Sequence, residues 1–116
     1  MSYSGSCHCG AVAFTVDADI PAEAISCNCS HCHAKGLILT FVGGDQFRID
    51  KGEDTLATYH FNTGKIDHRF CPTCGCEPFA QGKDKQGKAT ASINLRCVPD
   101  ADLNAMTIKQ YDGKSA

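Results

Sequence analysis

The cysteines of this 116-residue chain constrain its structure more than any other feature of the sequence. There are nine, and eight of them form three tight groups in which one or two residues separate neighbours: Cys7 and Cys9, then Cys27, Cys29 and Cys32, then Cys71, Cys74 and Cys76. Spacings this short let several thiolates converge on one metal ion, whereas disulfide frameworks use cysteines spread along a secreted chain. The grouping therefore predicts a metal-binding protein, and zinc is the metal that such thiolate sets commonly hold.

Three other uses of cysteine fit the sequence less well. A disulfide framework belongs to an oxidising compartment, but residues 1–9 are polar and lack the apolar stretch of a signal peptide or anchor. None of the cysteine runs has a ferredoxin-type spacing, which disfavours an iron–sulfur cluster. Redox catalysis by Cys71 and Cys74 requires a strand–helix setting that the flanking residues do not provide. We therefore expect thiolate metal sites in a reducing compartment, the cytoplasm.

Length and charge exclude further classes of protein. A chain of 116 residues has room for one domain, 1–116. Eleven basic and thirteen acidic residues give a formal net charge of −2 without a basic stripe, so neither nucleic acid nor an anionic membrane is an expected partner. No apolar run approaches the roughly 20 residues that a membrane-spanning helix needs.

Two cysteine pairs have the composition of zinc knuckles. In 71–75 two cysteines enclose Pro72 and Thr73, and Gly75 permits a positive φ after the second ligand. Cys7-His8-Cys9-Gly10 is similar, again with glycine after the second cysteine. Each pair supplies two thiolates, so each is half of a tetrahedral site.

The middle group, Cys27, Cys29 and Cys32, offers three thiolates within six residues. Three thiolates can hold an ion from one loop, but a tetrahedron needs a fourth ligand. Zinc sites with three protein ligands are the catalytic type, and closed four-ligand sites are structural. The spacing leaves the choice open, because eight grouped cysteines also divide into two closed sites if Cys76 is the eighth ligand.

The remaining sequence predicts a mainly β, antiparallel domain. Short runs of strand-forming residues are punctuated by glycine-containing turns, and the predicted strands are 11–16, 36–42, 46–50, 55–61, 65–70 and 89–95. Only 30–35 and 99–106 have a helical pattern, the second led by Asp100 as a possible cap. The segment 83–88 is predicted to be a solvated turn.

Four motifs in this order resemble the glutathione-dependent formaldehyde-activating enzyme family, which shares its domain with centromere protein V. They are Gly5-Ser6-Cys7-His8-Cys9-Gly10-Ala11-Val12, Cys27-Asn28-Cys29-Ser30-His31-Cys32, Phe70-Cys71-Pro72-Thr73-Cys74-Gly75 and Asn94-Leu95-Arg96-Cys97. The match covers about residues 4–106, and the chain is similar to the short members of the family.

The resemblance implies a fold of several coiled antiparallel sheets stapled by two zinc ions. It assigns a structural zinc to Cys7, Cys9, Cys71 and Cys74, and a second, catalytic-type zinc to Cys27, Cys29 and Cys32. It also implies chemistry of the S-(hydroxymethyl)glutathione synthase kind, a carbon–sulfur lyase activity in which a small, glutathione-like thiol on the second zinc adds to an aldehyde. The alternative is a non-enzymatic zinc module or glutathione carrier in which both metals are structural.

Several residues are left without an assigned role. His31, His33, His60 and His68 are each expected to be surface or supporting histidines, although such a reaction would use a proton donor. Cys97 is expected to be a small buried hydrophobe, and Cys76 either a bystander or a supplementary ligand. The phenylalanines are expected in the core rather than around a substrate: Phe41, Phe47, Phe61, Phe70 and Phe79.

Overall fold

Two β-sheets account for most of the regular structure. The computed structural model describes residues 1–60 and 64–115. Within them lie β1 (Tyr3–Ser6), β2 (Ala13–Val16), β3 (Glu23–Cys27), α1 (Ser30–Lys35), β4 (Leu39–Gly43), β5 (Phe47–Lys51), β6 (Ala57–Tyr59), β7 (Asp67–Phe70), β8 (Phe79–Lys83), β9 (Ala89–Asn94) and β10 (Thr107–Tyr111), with short 3-10 turns at Gly44–Gln46, Glu53–Thr55 and Leu95–Cys97. The small sheet has the order β1-β2-β5, and the large sheet has the order β10-β3-β4-β9-β8-β7-β6.

The small sheet packs one face of β2 into the core. Residues alternate across a strand, and Phe14 and Val16 are both fully buried. Gly5 pairs with Phe14 in the antiparallel β1–β2 ladder. A Cβ at Gly5 would collide with the Phe14 ring and with the carbonyl oxygen of Cys97, so glycine is required for β1 to lie this close.

Aromatic rings join the two sheets. The ring of Phe79 on β8 lies 5.7 Å from Phe14 and 4.8 Å from Phe47, both in edge-on contact. Ile93 on β9 and Leu95 beyond it are fully buried in the same core. This contact fixes the large sheet against the small one.

The single α-helix is short and depends on its caps. Cys29 precedes α1, and its Sγ accepts a hydrogen bond from the N–H of Cys32 at 3.4 Å. Gly36 ends the helix with φ of 66°, a left-handed conformation that glycine adopts without strain. Between these caps His31 is directed inward and is buried.

The mainly β prediction is confirmed, and six of the ten described strands overlap the predicted runs. The ladders are antiparallel except that β10 pairs with β3 in parallel. Four strands were not predicted, namely β1, β3, β8 and β10. The end of the predicted run 55–61, including Phe61, lies outside the described residues. None of the described helices is long and apolar enough to span a bilayer.

The prediction of a helix at 99–106 is wrong. The segment forms isolated turns instead, in which Ala101 N donates to Val98 O and Ala105 N donates to Asp102 O. The Asp102 side chain accepts from the N–H of Asn104 at 3.1 Å, a local bond that competes with helix formation. Asp100 therefore caps no helix.

Replacing Ile93 with alanine tests the position of the core. Because Ile93 is fully buried, the cavity that Ile93→Ala leaves should lower the free energy of unfolding by about 2–5 kcal/mol. Denaturant unfolding followed by circular dichroism measures this loss. Ile66→Ala is the matched control, since Ile66 is 49% exposed, and equal losses in the two variants would contradict the described core.

Candidate metal centres and the adjoining cavity

Four sulfurs from the two predicted knuckles come together. The Sγ atoms of Cys7, Cys9, Cys71 and Cys74 all lie within 4.8 Å of one another. Cys9 Sγ lies 3.7 Å from Cys7 Sγ and 3.6 Å from Cys71 Sγ. A tetrahedral site with Zn–S bonds of about 2.3 Å sets its sulfurs about 3.8 Å apart. The donor set therefore fits zinc in number, chemistry and spacing.

Each knuckle is a turn that ends at a glycine with a positive φ. Gly10 and Gly75 have φ of 82° and 81°, and their N–H groups donate to the carbonyl oxygens of Cys7 and Cys71. The Val12 N–H donates to Cys7 Sγ at 3.4 Å. These turns aim N–H dipoles at the sulfurs, an arrangement that favours thiolates.

The thiols of this group differ in acidity. Backbone hydrogen bonds from Cys76 and Cys9 lower the pKa of Cys74 to about 5. A backbone hydrogen bond from Ala11 acts to lower the pKa of Cys9, but the Cys71 thiol and burial outweigh it and raise that pKa to about 11. Neighbouring thiolates repel one another, so a cation is needed before all four sulfurs ionise together.

A second group, Cys27, Cys29 and Cys32, comes from the end of β3 and the start of α1. Their Sγ atoms also lie within 4.8 Å of one another. The N–H of Cys29 donates to Cys27 Sγ at 3.5 Å, alongside the helix-capping bond to Cys29 Sγ. Three sulfurs at this spacing supply three of the four ligands of a zinc site.

The acidities in this group again diverge. Burial acts to raise the pKa of Cys29, but the hydrogen bond from the Cys32 N–H and those from its thiol neighbours outweigh burial and lower it. Burial, followed by the Cys29 thiol, raises the pKa of Cys32. The pKa values of Cys29 and Cys32 are therefore shifted in opposite directions.

The segment after β10 covers one side of this loop. Asn28 N–H donates to Tyr111 O at 3.1 Å, Asn28 Nδ2 donates to Asp112 Oδ1 at 2.9 Å, and Lys114 N–H donates to Asn28 Oδ1 at 2.9 Å. A Cβ at Gly113 would collide with Cys27 Sγ. Sequence reasoning missed this clamp, and the Asp112-Gly113 turn was its only local signal.

The three-cysteine group borders a cavity of about 590 Å³. Its described lining includes all three cysteines, apolar side chains from several strands of the large sheet, and a polar cluster formed by His31, His68 and Glu77. None of the four sulfurs of the knuckle group lines it. The two cysteine groups therefore have different surroundings.

The polar cluster is built around a buried carboxylate. Glu77 is 5% exposed; its Oε1 lies 3.1 Å from His31 Nε2 and accepts from Lys35 Nζ at 2.8 Å, while its Oε2 lies 3.5 Å from His68 Nδ1. The two imidazole rings are 4.0 Å apart. Burial and the adjacent His31 lower the pKa of His68 although Glu77 opposes them, so His68 favours the neutral form. Sequence reasoning named both histidines but not Glu77.

The donor atoms of His31, His68 and Glu77 also lie within 4.8 Å of one another, a distance at which three ligands can share an ion. The ammonium of Lys35 already compensates the carboxylate, and repulsion between that ammonium and a metal ion disfavours the site. We therefore interpret the cluster as a network for holding and moving protons.

Other predicted residues lie elsewhere. Cys76 contacts the knuckle group and packs against the core, away from the trio. Cys97 is partly buried; burial raises its pKa to about 12, and its Sγ accepts from Asn94 Nδ2 at 3.7 Å. His60 is half exposed and lies 2.6 Å from Asp67 Oδ1.

Some of the phenylalanines pack in or against the core, and one lines the cavity. Phe47 and Phe79 pack in or against the core, and Lys35 Nζ lies 5.1 Å from the centre of the Phe70 ring. Phe41, expected in the core, is 56% exposed and lines the cavity. That expectation is wrong because Phe41 lies on the β4 face that borders the cavity.

The chain matches a known family profile and is similar in fold to a solved structure. The family profile described as glutathione-dependent formaldehyde-activating enzyme matches residues 2–111. The fold is similar to the crystal structure of a Rhodobacter sphaeroides protein, with a TM-score of 0.77 and 26% sequence identity. That similarity covers 91% of this chain and 99% of the other.

Removal of one knuckle sulfur tests the four-cysteine group. Cys71→Ser should lose one equivalent of zinc and reduce the free energy of unfolding by about 4 kcal/mol or more, since a structural metal contributes directly to folding. Elemental analysis and thermal unfolding measure the two effects. Cys97→Ser should keep the wild-type zinc content, and a Cys71→Ser protein with wild-type zinc content would reject the assignment.

Proposed function

This chain belongs to the glutathione-dependent formaldehyde-activating enzyme family, and we propose that it joins a small thiol to an aldehyde at a zinc ion held by Cys27, Cys29 and Cys32. The reaction is of the carbon–sulfur lyase type and gives an S-hydroxymethyl adduct when the aldehyde is formaldehyde. A second zinc, on Cys7, Cys9, Cys71 and Cys74, is structural. The thiolate sites require a reducing compartment, and the cytoplasm is the proposed location.

One observation carries this proposal: the three-cysteine group lines the 590 Å³ cavity and the four-cysteine group does not. A metal with three protein ligands beside a cavity has room for a substrate atom as its fourth ligand. A metal that has four protein ligands and lies outside the cavity has no coordination position left for a substrate atom. The division into catalytic-type and structural sites follows from this difference.

The metal would supply an ionised thiol, because coordination deprotonates a thiol whose pKa is otherwise about 8.5. The chain supplies the proton transfers. Neutral His68 accepts the thiol proton, the sulfur attacks the carbonyl carbon as the C=O π bond breaks, and the resulting alkoxide takes the proton back from His68. Glu77 stabilises the transient imidazolium, and atoms and charge balance without an oxidant or reductant.

The non-enzymatic alternative keeps both metals structural or binds a thiol without turnover. A closed second site would need a fourth protein ligand, and Cys76 was the candidate. In the structure Cys76 lies beside Cys74 and Cys7 instead. The position of Cys76 thus favours substrate binding at the trio, and turnover measurements separate an enzyme from a carrier.

Substitution within the trio tests the proposed binding site. Cys29→Ser should lose one equivalent of zinc and abolish binding of glutathione and of 2-mercaptoethanol, because the metal that holds the thiol is released. Calorimetric titration measures binding, and circular dichroism checks the fold. Cys97→Ser should bind as the wild type does. Thiol binding that survives in Cys29→Ser rejects the proposal.

Substitution of the proton carrier tests the histidine cluster. His68→Gln should lower kcat by about 100-fold, the scale of one general acid–base group. The wild-type rate should fall at acidic pH with a midpoint below 6.5, the ordinary histidine value, because burial and the adjacent His31 lower the pKa of His68 and only neutral His68 accepts the thiol proton. The variant should lack this acidic limb.

The matched control for the histidine cluster is His60→Gln, since His60 is half exposed and pairs with Asp67 outside the cavity. Its rate and pH profile should be those of the wild type. Zinc analysis of both variants separates a proton-transfer defect from metal loss. An unchanged acidic limb in His68→Gln would exclude His68 from the reaction.

A further inference from the structure

Apart from the three cysteines and the polar cluster of His31, His68 and Glu77, most of the cavity wall is apolar. Leu39 and Phe41 lie on the same face of β4, two residues apart, and both border the cavity. Its described apolar side chains are Ile25, Leu37, Leu39, Phe41, Ile66 and Tyr111, together with Ala80. Leu37 and Leu39 are buried, so this surface continues into the protein.

The mouth of the cavity exposes apolar side chains to water. Five large hydrophobic residues are strongly exposed in the described part of the chain, and three of them, Phe41, Ile66 and Tyr111, line this one cavity with exposures of 56%, 49% and 52%. Isolated exposed hydrophobics are ordinary, but a cluster around a concave site indicates a binding surface for an apolar group.

The charged residues of the described cavity lining also restrict which ligands it can bind. Among the described lining residues there is no lysine or arginine, and the only carboxylate is Glu77. Lys35 donates to Glu77 from outside the cavity lining, and Arg96 Nε donates to Gly36 O at 2.7 Å. A ligand carboxylate would therefore lose water without gaining a cation and would also approach Glu77.

Glutathione has carboxylates at both ends and an ammonium group, so it matches these walls poorly. We propose that the site takes an uncharged thiol with an apolar substituent, because apolar side chains form most of the described wall beside Cys27, Cys29 and Cys32, and that described wall contains no lysine or arginine to pair with a carboxylate. This inference rests on the proposed function and specifies the substrate class of the same site.

A set of thiols that differ in charge and chain length tests the inference on the zinc-loaded full chain. We expect 1-butanethiol to bind at least about tenfold more tightly than 3-mercaptopropionate or glutathione, because the charged ligands must desolvate a carboxylate. The series ethanethiol, 1-propanethiol, 1-butanethiol should tighten about fourfold per methylene. Calorimetry measures affinity, and the absorption of cobalt-substituted protein reports coordination of the thiol sulfur.

The outcomes separate the inference from the proposed function. Glutathione binding as tightly as 1-butanethiol, or a series without chain-length dependence, overturns the apolar-thiol inference while leaving thiol binding at the trio intact. Failure of every thiol to alter the cobalt spectrum, or binding that Cys29→Ser does not change, overturns the proposed function itself and the inference with it.

A charge-adding variant tests the role of the wall directly. Phe41→Arg places a cation at the exposed mouth and should improve 3-mercaptopropionate binding about three- to fivefold, the scale of a solvent-exposed ion pair, while weakening 1-butanethiol. Thr58→Arg adds the same charge at an exposed position on β6 outside the cavity lining, so it is the matched control. Equal effects in the two variants would show that the wall does not select the ligand.

Discussion

The convergence of four sulfurs from opposite parts of the chain is the constraint on which the rest of the structure depends. Cys7 follows β1 of the small sheet and Cys71 follows β7 of the large sheet, and Cys9 and Cys71 are 62 residues apart in sequence with sulfurs 3.6 Å apart. The aromatic contact of Phe14 with Phe79 joins the same two sheets through the core. A metal ion on these four sulfurs would reinforce this modest core with a cross-link of the kind that small domains use.

The segment that carries Cys71 and Cys74 also positions Glu77 at the cavity. Glu77 comes three residues after Cys74, and its backbone oxygen accepts from Asn94 Nδ2 at 3.0 Å, so the knuckle and β9 together hold the carboxylate at the cavity. His31 reaches the same carboxylate from α1, whose start is capped by Cys29 of the trio. One buried polar cluster therefore connects the two cysteine groups. The apolar side chains around this cluster lower the local dielectric constant and so strengthen its electrostatic interactions.

Local signals in the sequence predicted much of the fold. Alternation in 11–16 and the glycine turns around 46–50 and 83–88 depend on neighbours within a few residues, and the corresponding strands and turn are present. The predictions failed where pairing partners are distant. β3 and β10 are adjacent in a parallel ladder, yet 79 residues lie between Cys27 and Thr107. Residues 99–106 have a helical pattern, but the hydrogen bond from the Asn104 N–H to the Asp102 side chain favours a turn.

By itself the sequence determined the number and grouping of the thiols, the mainly β class and, through four ordered motifs, the family. These properties are encoded in spacings of a few residues, which hold in any folded arrangement. Only the tertiary structure decided that the trio borders a cavity, that Glu77 joins His31 and His68, that Gly113 lies against Cys27 and that Phe41 faces the site. Each of these depends on contacts between segments far apart in the chain, which follow from strand pairing within the large sheet and from the packing of α1 and the adjoining loops beside it rather than from any local pattern.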